Sequence, residues 1–338
     1  MHLVVSIASV LVMIVFLEGL ARVAVFFQYG RHDRGFYHIF KYEPFLGTRT
    51  NDRFLISYGP KHDRLRILIL GGSTADSLAE VTDTAYSQLF AKFGNGPVEV
   101  INFAQGGAIS SQEVIMLARY GVRLHPDVII VIDGPNDVVA MTKGGAPGVP
   151  YTDAYIQLAV NHPFLNGVFA LGRHSQFVNI LRKLNERGEE AIKQSDTKAI
   201  DSMVTEYLMN HVTMEAIARG IGAHFATVLQ PYIHLRRMNS MNEEKLPAIT
   251  NYAYRKNFMN TVLLRMRTEI SLRQRGKTAA FVDSTTAFDT SDEDCFVDEV
   301  HLTARGKELL LRHVSDQLFA KFGRIYGWKA RTKATSAP

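Results

Sequence analysis

"RILILGGSTADS", residues 66–77, runs four apolar residues into two glycines and a serine. A short apolar run stopped abruptly by glycine has the length and punctuation of a buried strand rather than a helix. Ending such a strand on residues with almost no side chains leaves the Ser73 hydroxyl on an open turn. Either Ser73 is a nucleophile, or the glycines merely let the chain reverse. The rest of the sequence has to decide.

Four further strand candidates lie at 98–102 (VEVIN), 127–132 (DVIIVI), 223–229 (AHFATVL) and 279–283. Helical patterns lie between them near 83–93, 110–123, 199–221 and 250–275, and a last one covers 304–323. Strands that are apolar almost throughout are buried on both faces, which requires helices on both sides of a mainly parallel sheet. The expected fold is a doubly wound three-layer α/β/α sandwich, whose working groups sit at the carboxyl ends of the strands. Two stretches interrupt the alternation. Residues 143–198, opening "KGGAPGVPYTDAY", are too long for an ordinary connection and read as a lid or cap. Residues 230–249, with "HLRRMNSMNEEK", form a second excursion in which Arg236 and Arg237 either meet an anionic group or are simply solvated.

At 338 residues and 46% hydrophobic content, the chain is long and apolar enough for one large α/β domain with additions. Its net charge of +5 is spread among acidic residues along the chain, which argues against a nucleic-acid partner. Cys295 is the only cysteine, so neither an internal disulfide nor a multi-cysteine zinc site is available.

The amino terminus carries no charge from Leu3 to Leu17, then Glu18 and Arg22 four residues apart, then more apolar residues through Phe27. Extended that far it reaches the roughly 20 residues that span a bilayer, and Glu18 and Arg22 are spaced to pair across one helical turn. Residues 1–28 are therefore expected to be a transmembrane anchor helix. A secretory signal peptide and a buried helix are the alternatives; the weak n-region and the lack of a clear cleavage site count against the signal peptide. Residues 29–64 read as an irregular juxtamembrane connector, 65–323 as the main domain, and 324–338 as a polar tail. Arg22, Arg31, Arg34, Lys41 and Arg49 would by the positive-inside rule keep that domain in the cytoplasm.

The chemistry lies in the turns that leave the strands. The first strand leads into Gly71-Gly72-Ser73, the second into a turn from Asn102 to Gly107, and the third into Asp133-Gly134-Pro135-Asn136-Asp137. Just before the last helix stands "DEVHLT", with Asp298 and His301. Acyl transfer needs a hydroxyl nucleophile, a base, a carboxylate to orient the base, and donors aimed at the oxyanion. Ser73, His301 and Asp298 fit the first three roles, and the spacing of three lets one tight turn bring the carboxylate to the ring. The N–H groups of Ser73 and Gly107 and the side-chain amide of Asn136 are the natural oxyanion donors. Each piece alone is a weak signal, and the eleven other histidines show how little a histidine means by itself. All four segments occurring in order, each at a strand end or helix start, is a much stronger one. A dinucleotide site is excluded, because "GGSTAD" lacks the G-x-G-x-x-G spacing.

With these residues in view, the sequence resembles the SGNH subfamily of the GDSL esterases and lipases over roughly residues 65–323. The subfamily's four naming residues fall on Ser73, Gly107, Asn136 and His301, with Asp298 as the companion acid. The resemblance implies a flavodoxin-like sheet of about five parallel strands, hydrolysis of esters or thioesters, and no metal or organic cofactor. One departure is Gly72, where the family usually has an acidic residue before the nucleophile. The "GGST" variant is similar to membrane-anchored or exported bacterial members, which points the domain outward, to the periplasmic side, against the charge rule; outward is the expectation. The implied partner is a small acyl ester, a lipid or an acylated glycan. Two alternatives stay open: O-acyl transfer on a cell-surface polysaccharide by the same residues, and a non-catalytic glycan-binding envelope protein that retains the fold.

Overall fold

A computed structural model describes residues 9, 12–23, 41–62, 64–80, 90–93, 97–142, 146–150, 175, 177, 197–237, 240, 242–245, 253–273 and 279–323. The tail, nearly all of the 143–198 insertion and most of the helical pattern at 83–93 lie outside the described residues. The chain divides into two compact units, one of residues 1–50 with 152–191 and the other of 51–151 with 192–338.

In the first unit, residues 12–23 are helical, and Glu18 accepts a hydrogen bond from Arg22 Nε at 2.8 Å, as their spacing predicts. Glu18 also accepts from Ser175 Oγ at 2.7 Å and Phe177 N at 3.1 Å. Among the described residues no helix is long and apolar enough to cross a membrane, so the transmembrane helix expected over 1–28 finds no support there. The connector is less irregular than its composition suggests. Strands β1 (Lys41–Glu43) and β2 (Gly47–Arg49) form an antiparallel hairpin. The Glu43 carboxylate accepts the N–H groups of Phe45 and Leu46 at 2.8 and 2.6 Å, which supplies the turn with the acceptors its backbone lacks.

The second unit is built on five parallel strands: β3 (Leu65–Gly71), β4 (Val98–Asn102), β5 (Val128–Asp133), β6 (His224–Leu229) and β7 (Ala280–Asp283). Their order across the sheet is β4-β3-β5-β6-β7, the flavodoxin-like order expected from the sequence. Every residue of β3 and β5 is buried, whereas the edge strands β4 and β7 include half-buried positions. Among the described residues the unit's α-helices are α1 (Ser73–Ser77), α2 (Ser110–Arg119), α3 (Pro135–Thr142), α4 (Thr197–Gly220), α5 (Ala253–Arg273) and α6 (Ala304–Leu318). The two-residue period of a strand puts Ile67, Ile69, Ile130 and Ile132 on one face, in one core with Leu310, Leu311 and Val314 of α6. On the opposite face, Val138 of α3, Met203 and Tyr207 of α4, and Val262 and Met266 of α5 share a second core.

The strand order reverses direction between β3 and β5, and the first excursion from β3 goes to the edge strand β4. In sheets of this topology the crevice at that switch point is where ligands bind. The turns after β3, β4 and β5 are therefore the ones that decide function.

Candidate active site

The turn after β3 is shaped by how closely its neighbours approach. Gly71 has φ +142°, and a Cβ there would lie 2.1 Å from the carbonyl oxygen of Ile132 on β5. Gly72 has ordinary extended backbone, but a Cβ on it would lie 2.1 Å from Asn136 Nδ2. The two glycines thus bring the turn hard against β5 and the residues after it, and Ser73 comes next as the first residue of α1.

The second turn is held to the first by an extension of the parallel ladder. Phe103 N donates to Ile69 O at 2.8 Å and Gln105 N to Gly71 O at 3.0 Å. Ala108 N then closes on Gln105 O at 3.0 Å, with Gly107 at φ +75° inside that turn. Residues just beyond β2 brace it from outside. Asn51 donates to Ala104 O at 2.9 Å and accepts from Gln105 Nε2 at 2.9 Å, and Arg53 Nε donates to Asn102 O at 2.8 Å while its Nη2 pairs with Asp76. The third turn is fastened to the second by Asn136 itself, whose Nδ2 donates to Ala108 O at 2.8 Å. Ser73, Gly107 and Asn136 are half-buried while nearly all their neighbours are fully buried, so the working atoms lie at the open end of the sheet.

The fourth segment brings acid and base together as the spacing of three predicts. Asp298 Oδ1 accepts the N–H groups of Val300 and His301 at 2.9 and 2.8 Å, and its Oδ2 lies 2.6 Å from His301 Nδ1. His301 Nε2 lies 2.8 Å from Ser73 Oγ. With the Nδ1 proton directed to Asp298, Nε2 is left as the acceptor for the serine O–H. Burial works against the charge of Asp298, but the His301 ring and the two N–H groups outweigh it and hold the carboxyl below its usual range. Thr74 Oγ1 also donates to Val300 O at 3.0 Å, which ties the serine helix to the histidine loop across 226 residues of chain.

The excursion at 230–249 belongs to this site in a way its composition does not reveal. Arg236 is neither solvated nor facing a ligand: its side chain is about 1% exposed and forms an ion pair with Glu243, which is as deeply buried. Arg236 Nη2 donates to Ser291 O at 2.5 Å and Glu293 O at 3.2 Å, while Glu243 Oε1 accepts the N–H groups of Cys295 and Phe296 at 2.6 and 3.0 Å. All four partners lie just upstream of Asp298. Arg237, by contrast, is exposed, with Asp289 3.8 Å away. Asp137, next to Asn136 in the third turn, carries no sequence signal that would set it apart as a site residue. It is buried, and its carboxylate accepts the hydroxyl of Ser110 at 2.6 Å.

No protein-family model and no curated protein matches the chain. Solved structures to which it is similar include a GDSL-like lipase from Bacteroides thetaiotaomicron, at 11% identity and TM-score 0.40, covering 78% of this chain and 92% of that one. An acetylxylan esterase from Geobacillus stearothermophilus is similar at 12% identity and TM-score 0.41, covering 82% and 100%. A lipase/acylhydrolase from Enterococcus faecalis is similar at 13% identity and TM-score 0.40, covering 75% and 95%. The chemistry of this chain rests on its own side chains.

Proposed function

We propose that the chain is a serine esterase that cleaves a carboxylic ester or thioester through an acyl-enzyme on Ser73. The observation that supports it is one continuous hydrogen-bonded line, Ser73 Oγ to His301 Nε2 at 2.8 Å and His301 Nδ1 to Asp298 at 2.6 Å.

In the proposed reaction Ser73 Oγ attacks the acyl carbon and its proton passes to His301 Nε2, while Asp298 stabilises the resulting imidazolium. The carbonyl oxygen takes up the displaced electron pair and is met by the N–H groups of Ser73 and Gly107 and by Asn136 Nδ2. When the tetrahedral adduct collapses, the bond to the alcohol or thiol breaks and His301 returns the proton to that leaving group. A water then repeats the sequence, with His301 taking its proton and Ser73 regaining it as the acid departs. The half-exposed setting of the site suits the acyl group of a lipid or an acylated glycan.

The proposal extends to a membrane tether through residues 1–28, with the domain on the outer face. It is supported by the uncharged run from Leu3 to Leu17 and by Val12, Met13, Ile14, Val15 and Phe16, each more than half exposed on the described helix. Protease shaving of spheroplasts tests it: digestion of the domain is expected, and full protection would reverse the orientation.

A fluorophosphonate probe tests the chemistry. Wild-type protein is expected to take the label and Ser73→Ala to lose it along with hydrolysis of short p-nitrophenyl esters. A folded wild type that takes no label would point to a binding protein, and acyl transfer to an added sugar in preference to water would point to an acyltransferase.

A further inference from the structure

Behind the Asn136 turn the core holds three acids, a tyrosine and a histidine that the proposed acyl transfer does not use. Asp133 ends β5 and Asp137 is the third residue of α3, so the two flank Asn136 in the chain; Glu113 comes from α2, and Tyr207 and His211 from α4. The three acids are at most 7% exposed. Asp133 accepts from Tyr207 Oη at 2.7 Å and lies 2.9 Å from His211 Nε2, whose other ring nitrogen is 2.9 Å from Thr227 Oγ1. Among the described residues no donor reaches either carboxyl oxygen of Glu113. Buried acids are poor stabilising devices, and apolar side chains of similar size would serve a core better.

What the cluster does hold is Ser110. Asp137 Oδ1 accepts the Ser110 hydroxyl at 2.6 Å, and the Ser110 N–H lies 3.2 and 3.3 Å from the two carboxylate oxygens. Ser110 Oγ in turn accepts from Asn210 Nδ2 of α4 at 3.0 Å. Ser110 stands three residues after Gly107, and Asp137 one after Asn136. This buried link therefore runs parallel to the bond from Asn136 Nδ2 to Ala108 O on the open side.

We propose that Asp137 is a positioning residue for the oxyanion donors: by binding both polar groups of Ser110 it locks the Gly107 turn to the Asn136 turn and fixes the spacing of the donors. This rests on the serine-esterase reading above. Burial, and then the charge of Asp133, push Asp137 up to about 7. Glu113 is driven well above the usual range by burial and then by the charge of Asp133. Burial opposes the charge of Asp133, but His211, Glu113 and Tyr207 outweigh it and keep that carboxyl ionised. The groups facing Asp137 are thus Asp133 from β5, Glu113 and Ser110 from α2, and Tyr207 and His211 from α4.

A double-mutant cycle on the full chain with p-nitrophenyl acetate tests the assignment. Asp137→Ala is expected to lower kcat on the order of tenfold or more with little change in KM, as a misplaced oxyanion donor would. Asp137→Asn, which keeps one acceptor oxygen, is expected to recover part of that loss. In an Asn136→Ala background the Asp137→Ala factor is expected to shrink, because the donor through which it acts is already gone. If Asp137→Ala does not fold, Ser110→Ala takes its place in the same cycle. An Asp137→Ala factor equal in the two backgrounds would overturn the assignment. A wild type that takes no fluorophosphonate label would instead sink the esterase reading, so the two failures are distinguishable.

Discussion

At Gly72 a Cβ would stand 2.1 Å from Asn136 Nδ2, so a side chain fits there only if that amide moves. Here the amide of Asn136 lies directly against the backbone that carries Ser73. The obstruction is the end of a side chain, so the fold can accommodate a methyl group by moving it, but the amide then leaves its place. Gly72→Ala is expected to fold with an almost unchanged melting temperature and to lose about a hundredfold in kcat, the usual effect of removing one oxyanion donor. A variant with near wild-type kcat would show that Asn136 does not work from the position it occupies. Residues of this kind were legible in the sequence because each role demands a particular chemical type. Ser73, Asn136, Asp298 and His301 announce themselves as hydroxyl, amide, carboxylate and imidazole at strand ends. Asp137 did not, since its importance depends on what faces it, and Ser110, Glu113, Tyr207 and His211 come from distant parts of the chain.

At the scale of elements, the loop carrying Asp298 and His301 has little regular structure of its own, and most of what shapes it is borrowed. Val297 N donates to His301 O at 2.9 Å and Thr303 N to Cys295 O at 2.9 Å, which makes a narrow loop around a single bridge between Phe296 and Leu302. Outside that bridge, the Arg236–Glu243 pair supplies donors and acceptors to both sides of residues 291–296. Removing one member of a buried pair leaves the other charge unpaired and costs about 3–5 kcal/mol. Glu243→Ala is therefore expected to lower the denaturant midpoint sharply and to speed amide exchange at Cys295 and Phe296 well beyond that of β3. Exchange at those amides unchanged from wild type would refute the clamp. Composition alone made Arg236 look like a ligand-binding or solvated cation, because "HLRRMNSMNEEK" is mostly polar. Its burial depends on the acid seven residues later and on carbonyls more than fifty residues away, neither of which any local pattern encodes.

At the scale of the molecule, the sheet places four turns at one end, and the buried acids behind them have a consequence for the stability of the whole. Asp137 holds its proton up to about pH 7 in the folded chain but only to its ordinary value of 3.8 when unfolded. Between those values the native state binds more protons than the unfolded state, so raising the pH through that window lowers the stability of the fold. Asp137→Asn lacks this titration. Its melting temperature relative to wild type is expected to rise between pH 5 and pH 8, in calorimetry at constant ionic strength, even though its kcat falls. A relative melting temperature that stays flat over that range would mean that Asp137 is already ionised below pH 5.

The sheet itself was decided by local information. Runs such as 67–70 and 128–132 are apolar without alternation, the pattern of strands covered on both faces, and the structure places β3 and β5 inside the sheet with helices on either side. The residue types of the Ser73, Gly107, Asn136 and His301 turns were likewise written in the chain, in order. Only the tertiary structure decided how those turns are held: which acid grips Ser110, which ion pair shapes the histidine loop, and which amide a side chain at Gly72 would displace. Each of those depends on contacts between residues tens to hundreds of positions apart, where burial and partner are properties of the folded whole.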